Sequence, residues 1–335
     1  MRRFKRGRGT VRGAETPAPR IPVPEGPRVS AERPVLPATR RRLEPAEILH
    51  LGAEEVDELL DRLEAGVPVH TGVADLPAAP RKEAVVFGDS HGDWWSTLAI
   101  AGRFLADPAG RCLVGLGDYV DRAPDDCAEG SVANALYLLE LAAEFPDRVF
   151  LIQGNHEAVR RIPALPHDLP EEVDQLWGPD PERYHRLIGL LERGPLAALS
   201  TTGAYLAHGG FPRAGTAANW RRAFDEPTDE TLLDVLWTDC AESRIDRGIG
   251  PPFNEAALEA FLDRTGARVM LRGHDPDLAG RVVYHDRCLT LHSTRIYEKY
   301  GGVLRATLPL TRAVRSIADV PVEHVETEGQ SFGLP

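Results

Sequence analysis

Short apolar runs that end abruptly in glycine and polar residues recur along the chain, separated by amphipathic stretches. Ala84-Val85-Val86-Phe87 is one such run, and it breaks into Gly88-Asp89-Ser90-His91-Gly92. Uninterrupted small and aromatic apolar residues fit a strand buried on both faces. The flanking glycines permit a tight backbone from which Asp89 and His91 project together. Trp94 to Ala106 then reads as a helix closed by Asp107-Pro108, with Trp94 and Trp95 as packing residues. Arg111 to Leu116 reads as a second strand, Ser131 to Phe145 as a helix with Ser131 as its N-cap, and Arg148 to Gln153 as a third strand. This βαβαβ order predicts a parallel sheet covered by helices. Polar clusters follow the strands: Gly117-Asp118-Tyr119-Val120-Asp121-Arg122 after the second and Gly154-Asn155-His156-Glu157 after the third. Ligands of open α/β sheets bind at the carboxyl ends of strands, so these clusters are expected to converge on one crevice.

Upstream, Val56, Leu59, Leu60 and Leu63 recur at helical spacing with acidic residues between them and Gly66 beyond, which predicts an amphipathic leading helix within residues 43–66. A proline-rich connector over residues 67–82 joins it to the first strand. Downstream, Leu196 to Ala207 reads as a hairpin around Thr202-Gly203 and ends in His208-Gly209-Gly210. Asn254 to Thr265 reads as a helix stopped by Gly266, feeding a strand from Arg268 to Leu271 that ends in Gly273-His274-Asp275. Further hairpin patterns cover residues 281–292 and 302–308, and the chain turns polar from Ile317, a segment expected to be peripheral.

Composition adds bounds. The 335 residues, 42% hydrophobic, suffice for one large core or two modest ones. No apolar stretch approaches the roughly 18–20 residues of a spanning helix, and the basic N-terminus lacks the apolar segment of a secretory signal, so the cytoplasm is the expected compartment. Cys112, Cys127, Cys240 and Cys288 are dispersed without a C-x-x-C pair, which argues for reduced thiols rather than a disulfide framework or zinc knuckle. The net charge of −12 is uneven: residues 1–42 carry 12 Arg or Lys, 3 Glu and seven prolines, leaving about −21 on the rest. So little apolar surface cannot offset chain entropy, and a disordered tail is expected. Its charge suits nucleic acid, an anionic membrane surface or an acidic partner, and equally a solvated extension without one. Residues 43–316 are left as one folded domain, followed by a peripheral segment over residues 317–335. Scarce lysine beside abundant arginine and alanine is the bias of a GC-rich genome, as in many bacteria.

The chemistry lies in the strand-end clusters. Asp89, His91, Asp118, Asn155, His208 and His274 combine carboxylate, amide oxygen and imidazole with no thiolate. That set suits Mn²⁺, with Fe or Zn²⁺ as alternatives, and is large enough for two ions sharing one carboxylate. Two cations about 3.5–4 Å apart activate a shared water, so that hydroxide attacks phosphorus in line without a covalent phosphoenzyme. Such a reaction needs guanidinium donors for equatorial charge and a proton for the departing alkoxide.

In its order of motifs, G-D-x-H-G, G-D-x-x-D-R, G-N-H-E, H-G-G and G-H, the chain resembles the calcineurin-like metallophosphoesterases. Gly117 to Arg122 and Gly154 to Glu157 resemble, more narrowly, the phosphoprotein phosphatase family of serine/threonine phosphatases, over residues 84–297. The resemblance implies a four-layer α/β/β/α sandwich with mixed sheets, the parallel units in one sheet and the later hairpins in the other. It implies that Asp89, His91 and Asp118 hold one metal, and that Asp118 as the bridge, Asn155, His208 and His274 hold the other. His156 would be the general acid, Asp121 its orienting partner, and Arg122 and Arg247 the phosphate-binding groups. Trp237-Thr238-Asp239 also looks like a family segment, which adds Asp239 as a candidate, and Tyr297 is placed near the phosphate.

The chain departs from the family at Ala123, at Phe211-Pro212, in His292-Ser-Thr-Arg-Ile-Tyr297 and in a proline-rich stretch over residues 162–181, positions expected to affect substrate contacts. The expected function is hydrolysis of phosphoserine or phosphothreonine by a dinuclear centre. A phosphatase for nucleotides, dinucleoside polyphosphates or nucleic-acid ends is the alternative. A non-catalytic phosphate-binding scaffold should have lost a ligand or the acid, and this chain keeps all of them.

Overall fold

The structure, a computed structural model, describes residues 41–78, 80–213, 219–249 and 251–327. The expected basic tail lies outside the described residues except for Arg41 and Arg42. Arg42 Nη1 bonds Glu144 Oε2 at 2.6 Å, and its guanidinium lies over the Tyr137 ring.

Helices α1 (Pro45–Ile48) and α2 (Ala53–Gly66) lead into β1 (Val73–Leu76) and β2 (Glu83–Phe87). There follow α3 (Trp94–Leu105), β3 (Arg111–Gly115), α4 (Gly130–Glu144), β4 (Val149–Leu151), α5 (Leu169–Trp177) and α6 (Pro181–Leu191). The later part comprises β5 (Ala197–Ser200), β6 (Ala204–Ala207), α7 (Arg222–Asp225), α8 (Asp229–Leu236), α9 (Glu255–Thr265), β7 (Val269–Arg272), β8 (Val282–Val283), β9 (Cys288–Thr290), β10 (Leu304–Pro309) and β11 (Val322–His324).

Among the described residues the strands form two mixed sheets, ordered β11-β10-β2-β3-β4 and β1-β5-β6-β7-β9-β8. Residue alternation builds the layers. Ala84, Val86, Cys112 and Val114 point from β2 and β3 into a shared core, where they meet Ala204, Leu206, Val269 and Leu271 from β6 and β7. The intervening Val85, Phe87 and Leu113 face the opposite way, onto α1 to α6. Tyr205, Ala207 and Met270 likewise turn outward, onto Phe224, Leu232 and Phe261 of α7, α8 and α9. A period of two along each strand thus gives helix, sheet, sheet and helix, the four-layer sandwich.

Several expectations need correction. The hairpin over 281–292 lies in the six-stranded sheet, but the 302–308 segment does not: β10 pairs antiparallel with β2, Arg305 opposite Phe87. Leu304, Ala306 and Leu308 alternate into the inter-sheet core, which fixes the face of this strand but could not name its neighbour. The proline-rich connector contains β1, parallel to β5. Ser131 does not cap α4, which begins at Gly130 with Glu129 in the cap position. The Ser131 hydroxyl instead accepts from the Asp121 N–H at 2.9 Å and donates to Glu172 at 2.5 Å, tying a site loop to α5. The leading helix is broken at Gly52 into α1 and α2. At α9 the reading holds: Asn254 accepts from the Ala257 N–H, and Gly266 ends the helix in the left-handed region.

The polar C-terminal segment supplies edge strand β11, exposed throughout, while Ile317 and Val320 are buried beside it. The four cysteines are buried and unbridged. No helix of the described residues is long and apolar enough to cross a membrane.

Candidate metal centre

Asp89 and His91 follow β2, Asp118 follows β3, Asn155 and His156 follow β4, His208 follows β6 and His274 follows β7. To turn these side chains inward immediately after a strand, His91, Asp118, Asp121, Arg122 and His274 adopt φ values of 43°, 55°, 66°, 58° and 70°. Non-glycine residues rarely occupy that region, and each such residue costs on the order of 1 kcal/mol or more. Close approach also excludes side chains at two glycines. A Cβ on Gly154 would lie 2.3 Å from Asp118 Oδ1, and one on Gly273 would lie 2.2 Å from Asp89 Oδ1.

One donor group centres on His208. Its Nδ1–H donates to the Leu116 carbonyl at 2.9 Å, which leaves the Nε2 lone pair facing the cleft. Around that Nε2 stand Asn155 Oδ1 at 2.9 Å, His274 Nδ1 at 3.1 Å and Asp118 Oδ1 at 3.4 Å. Burial keeps the His208 and His274 imidazoles neutral by lowering both pKa values. Several acceptors converging with too few protons among them is an arrangement that a cation satisfies.

The other group centres on His91, whose Nδ1–H donates to the Val120 carbonyl at 3.0 Å. Its Nε2 faces Asp118 Oδ2 at 3.7 Å and Asp89 Oδ2 at 3.9 Å. Burial drives the His91 pKa down to about 3, so Nε2 carries no proton. Asp118 belongs to both groups and turns one oxygen to each. Burial pushes its carboxyl up, but His208, His156 and His91 outweigh that and hold it well below the usual range. Burial and the Asp118 charge push the Asp89 carboxyl well up, a repulsion that cations between them relieve. The residues therefore fit divalent cations, which the two donor groups would hold with Asp118 common to both.

His156 stands at the edge of this pair. Its Nδ1 bonds Asp121 Oδ2 at 2.5 Å, and its buried Nε2 has no hydrogen-bond partner among the described residues. Burial lowers the His156 pKa, but Asp118 and Asp121 outweigh it and raise the imidazole above its ordinary value. Arg122 lies beside the first group, with Nη1 3.5 Å from His91 Nε2 and 3.3 Å from Tyr297 Oη. Arg247 lies beside the second, donating to the His274 carbonyl and to Asp239 Oδ2, each at 2.9 Å. Asp239 also accepts from Arg272 at 3.2 Å. The sequence-derived candidates are thus brought together in one place, with Asp239 and Tyr297 holding the arginines.

A sequence profile of the calcineurin-like phosphoesterases matches residues 84–278, more than half of the chain. The chain belongs to the calcineurin-like phosphoesterase family. A probable serine/threonine-protein phosphatase of Encephalitozoon cuniculi is 28% identical over 259 residues, 73% of this chain and 54% of that protein. A PP2A-like serine/threonine-protein phosphatase of Candida albicans is 29% identical over 222 residues, 63% of this chain and 51% of that protein. The chain therefore spans about half the length of these relatives. Among solved structures, a protein serine/threonine phosphatase from Saccharomyces cerevisiae has a TM-score of 0.62 at 19% identity, covering 86% of this chain and 91% of its own, a likeness of fold.

Two departures of this chain from the family pattern are packing residues. Ala123 joins the small apolar cluster of Trp94, Cys127 and Ala133, and Phe211 stacks on Phe261 with ring centroids 4.5 Å apart. Both make apolar contacts, Ala123 half-buried and Phe211 buried.

Other residues of the site were not singled out by sequence. Glu157, fully buried, accepts from the Asp118, Tyr119 and Gly154 N–H groups at 2.7–2.8 Å and clamps two site loops together. Its place in Gly154-Asn-His-Glu157 was the available signal. Arg272, also fully buried, donates to the Gly209 and Thr238 carbonyls and joins the His208 loop to Asp239. His167, in the proline-rich stretch, bonds Asp121 Oδ2 through Nδ1 at 2.9 Å and Tyr184 Oη through Nε2 at 2.9 Å. Neither residue carries a sequence signal, because their partners are distant in the chain.

Proposed function

We propose that the chain is a dinuclear metal-dependent phosphomonoester hydrolase acting on phosphoserine or phosphothreonine. The observation that carries this reading is the junction at Asp118: two donor groups share that carboxylate, and His156 stands beside them with Nδ1 fixed and Nε2 open. Asp89, His91 and Asp118 would hold one ion, and Asp118, Asn155, His208 and His274 the other. When bound, such an ion pair activates a water nucleophile and polarises the phosphoryl group.

The chain's own residues supply the rest. Arg122 and Arg247, flanking the two groups, donate to the non-bridging phosphate oxygens and orient the ester. His156 Nε2–H then passes its proton to the departing serine or threonine alkoxide. Asp121 stabilises the imidazolium and fixes its tautomer. It remains ionised because it accepts from His156, from His167 at 2.9 Å, and from the Asp168 and Leu169 N–H groups at 2.7 and 3.0 Å. The relatives that are serine/threonine-protein phosphatases favour a phosphoprotein substrate.

The test is hydrolysis of p-nitrophenyl phosphate by metal-stripped protein with Mn²⁺ added back, beside Asp118→Asn and His156→Asn, followed by a phosphopeptide panel set against nucleotides and dinucleoside polyphosphates. Metal-dependent turnover lost in Asp118→Asn, with phosphopeptides as the better substrates, is the expected result. Preference for nucleotides would move the assignment to the alternative substrate class. Two bound ions without turnover of any ester would leave a phosphate-binding protein.

A further inference from the structure

Just beyond β9 the chain crosses to the other sheet. Asp89 and His292 form a parallel bridge, in which the Ser293 N–H donates to the Asp89 carbonyl at 2.9 Å. The Gly88 N–H donates to the Ser293 hydroxyl at 3.0 Å, so the two segments are locked side by side. Residues paired in this way send their side chains to the same face, here the face of the first donor group. His292 is fully buried, yet neither ring nitrogen has a hydrogen-bond partner among the described residues. Buried polar groups are almost always paired, so an imidazole with both nitrogens unpaired at this depth requires an explanation.

Its surroundings supply one. His292 Nδ1 lies 3.5 Å from Asp89 Oδ2, about 0.6 Å beyond a usual N–H···O distance. The ring of Tyr297 packs edge-on against His292 at 5.1 Å and against His91 at 5.8 Å, closing this side of the site. The His274 N–H is shared between the two Asp89 oxygens, 2.9 Å from Oδ1 and 3.2 Å from Oδ2, so Oδ2 has only the longer arm of that bond. His292 is not among the atoms of Asp89, His91 and Asp118 that cluster within 4.8 Å of one another. It therefore stands beside the Asp89 carboxylate, outside that donor set.

We propose that His292 is a positioning residue for the first metal position, donating its Nδ1–H to Asp89 Oδ2 and fixing the direction in which that carboxylate presents its lone pairs. A carboxylate held by both the His274 N–H and a second donor on Oδ2 loses little further freedom when a cation arrives, whereas one held by His274 alone can rotate away. Removing such an outer partner of a metal ligand characteristically weakens metal affinity about 10–100-fold. The proposal rests on the two-metal reading above.

The experiment is a Mn²⁺ titration of metal-stripped full-length protein, free Mn²⁺ being read by its electron paramagnetic resonance signal. Wild type, His292→Phe and His292→Asn are compared. Asparagine keeps an N–H near the place of Nδ1, and phenylalanine keeps the ring volume. The expected result is two ions on wild type, with one of them bound about 10–100-fold more weakly in His292→Phe and largely restored in His292→Asn. Should His292→Phe not fold, the asparagine variant carries the test against His292→Ala. Wild-type affinity in every variant overturns the proposal, and so does equal weakening with no rescue by asparagine, which assigns His292 to direct ligation or to packing. Failure of wild type to bind two ions overturns the underlying two-metal reading instead, and is seen before any variant is made.

Discussion

The two donor groups of the candidate metal centre differ in how completely they are formed. Around His208 the neighbouring donor atoms stand 2.9, 3.1 and 3.4 Å from Nε2. Around His91 the corresponding separations are 3.7 and 3.9 Å. A cation that holds its ligands at about 2.1 Å keeps adjacent donors roughly 3.0–3.4 Å apart. The His208 group already has that spacing, while the His91 group must contract. The difference follows from anchoring. His208, Asn155 and His274 pack against one another from three strand ends, whereas His91 faces carboxylates that repel each other. Preorganisation of this kind raises affinity by lowering what is lost on binding.

The strongest way to break that comparison is to remove each centre in turn. His208→Asn is expected to abolish the tighter of two Mn²⁺ binding events and His91→Asn the weaker, with turnover falling about 10³-fold in both. Isothermal titration calorimetry beside p-nitrophenyl phosphate hydrolysis reads both quantities, and the opposite assignment of the two events would sink the ranking. The proton-donating side should be separable from both halves. His156→Asn is expected to leave the two ions bound while kcat for a phosphoserine peptide falls about 10²-fold or more. The loss for p-nitrophenyl phosphate should be smaller, because nitrophenolate departs without a proton; equal losses on the two substrates would remove His156 from that role.

His167→Ala probes the support behind Asp121. A kcat about tenfold lower with KM unchanged is expected, since the acid is misdirected while phosphate binding is untouched. A rise in KM alone would contradict it.

The smallest effect concerns α5, where burial raises the Glu172 carboxyl to about 7 from 4.5. The folded chain thus keeps a proton that the unfolded chain releases. The stability this group contributes is present in full below about pH 4.5 and is lost as pH rises through about 7. Glu172→Gln keeps the neutral form, so its melting temperature relative to wild type should climb from pH 4.5 to pH 8, by about 2–4 °C per kcal/mol. A constant offset across that range would show that Glu172 does not titrate there.

Legibility followed the range of the interactions. The β2–α3–β3–α4–β4 succession could be read from local apolar runs, and α9 from its Asn254 cap and Gly266 stop. The donor residues were readable because each sits where an apolar run breaks into glycine, a feature contained in a few consecutive residues. The neighbour of β10 was not readable, since Arg305 meets Phe87 more than two hundred positions earlier in the chain. Four residues of β1, at a sheet edge in a proline-rich stretch, carry too weak an alternation. Ser131 precedes a helix and invites the reading of a cap, but its hydroxyl is taken by Asp121 and Glu172.

By itself the sequence determined the family of this protein and its candidate chemistry: which groups could bind metal, which could move a proton, and at which strand ends they stand. Those properties reside in short motifs whose backbone demands are local. Only the tertiary structure decided how the groups face one another. It set the tight spacing around His208 and the looser one around His91, sent His167 to Asp121, and brought His292 beside Asp89. Such arrangements depend on which strands lie side by side, and that is set by burial and hydrogen bonding between segments far apart in the chain.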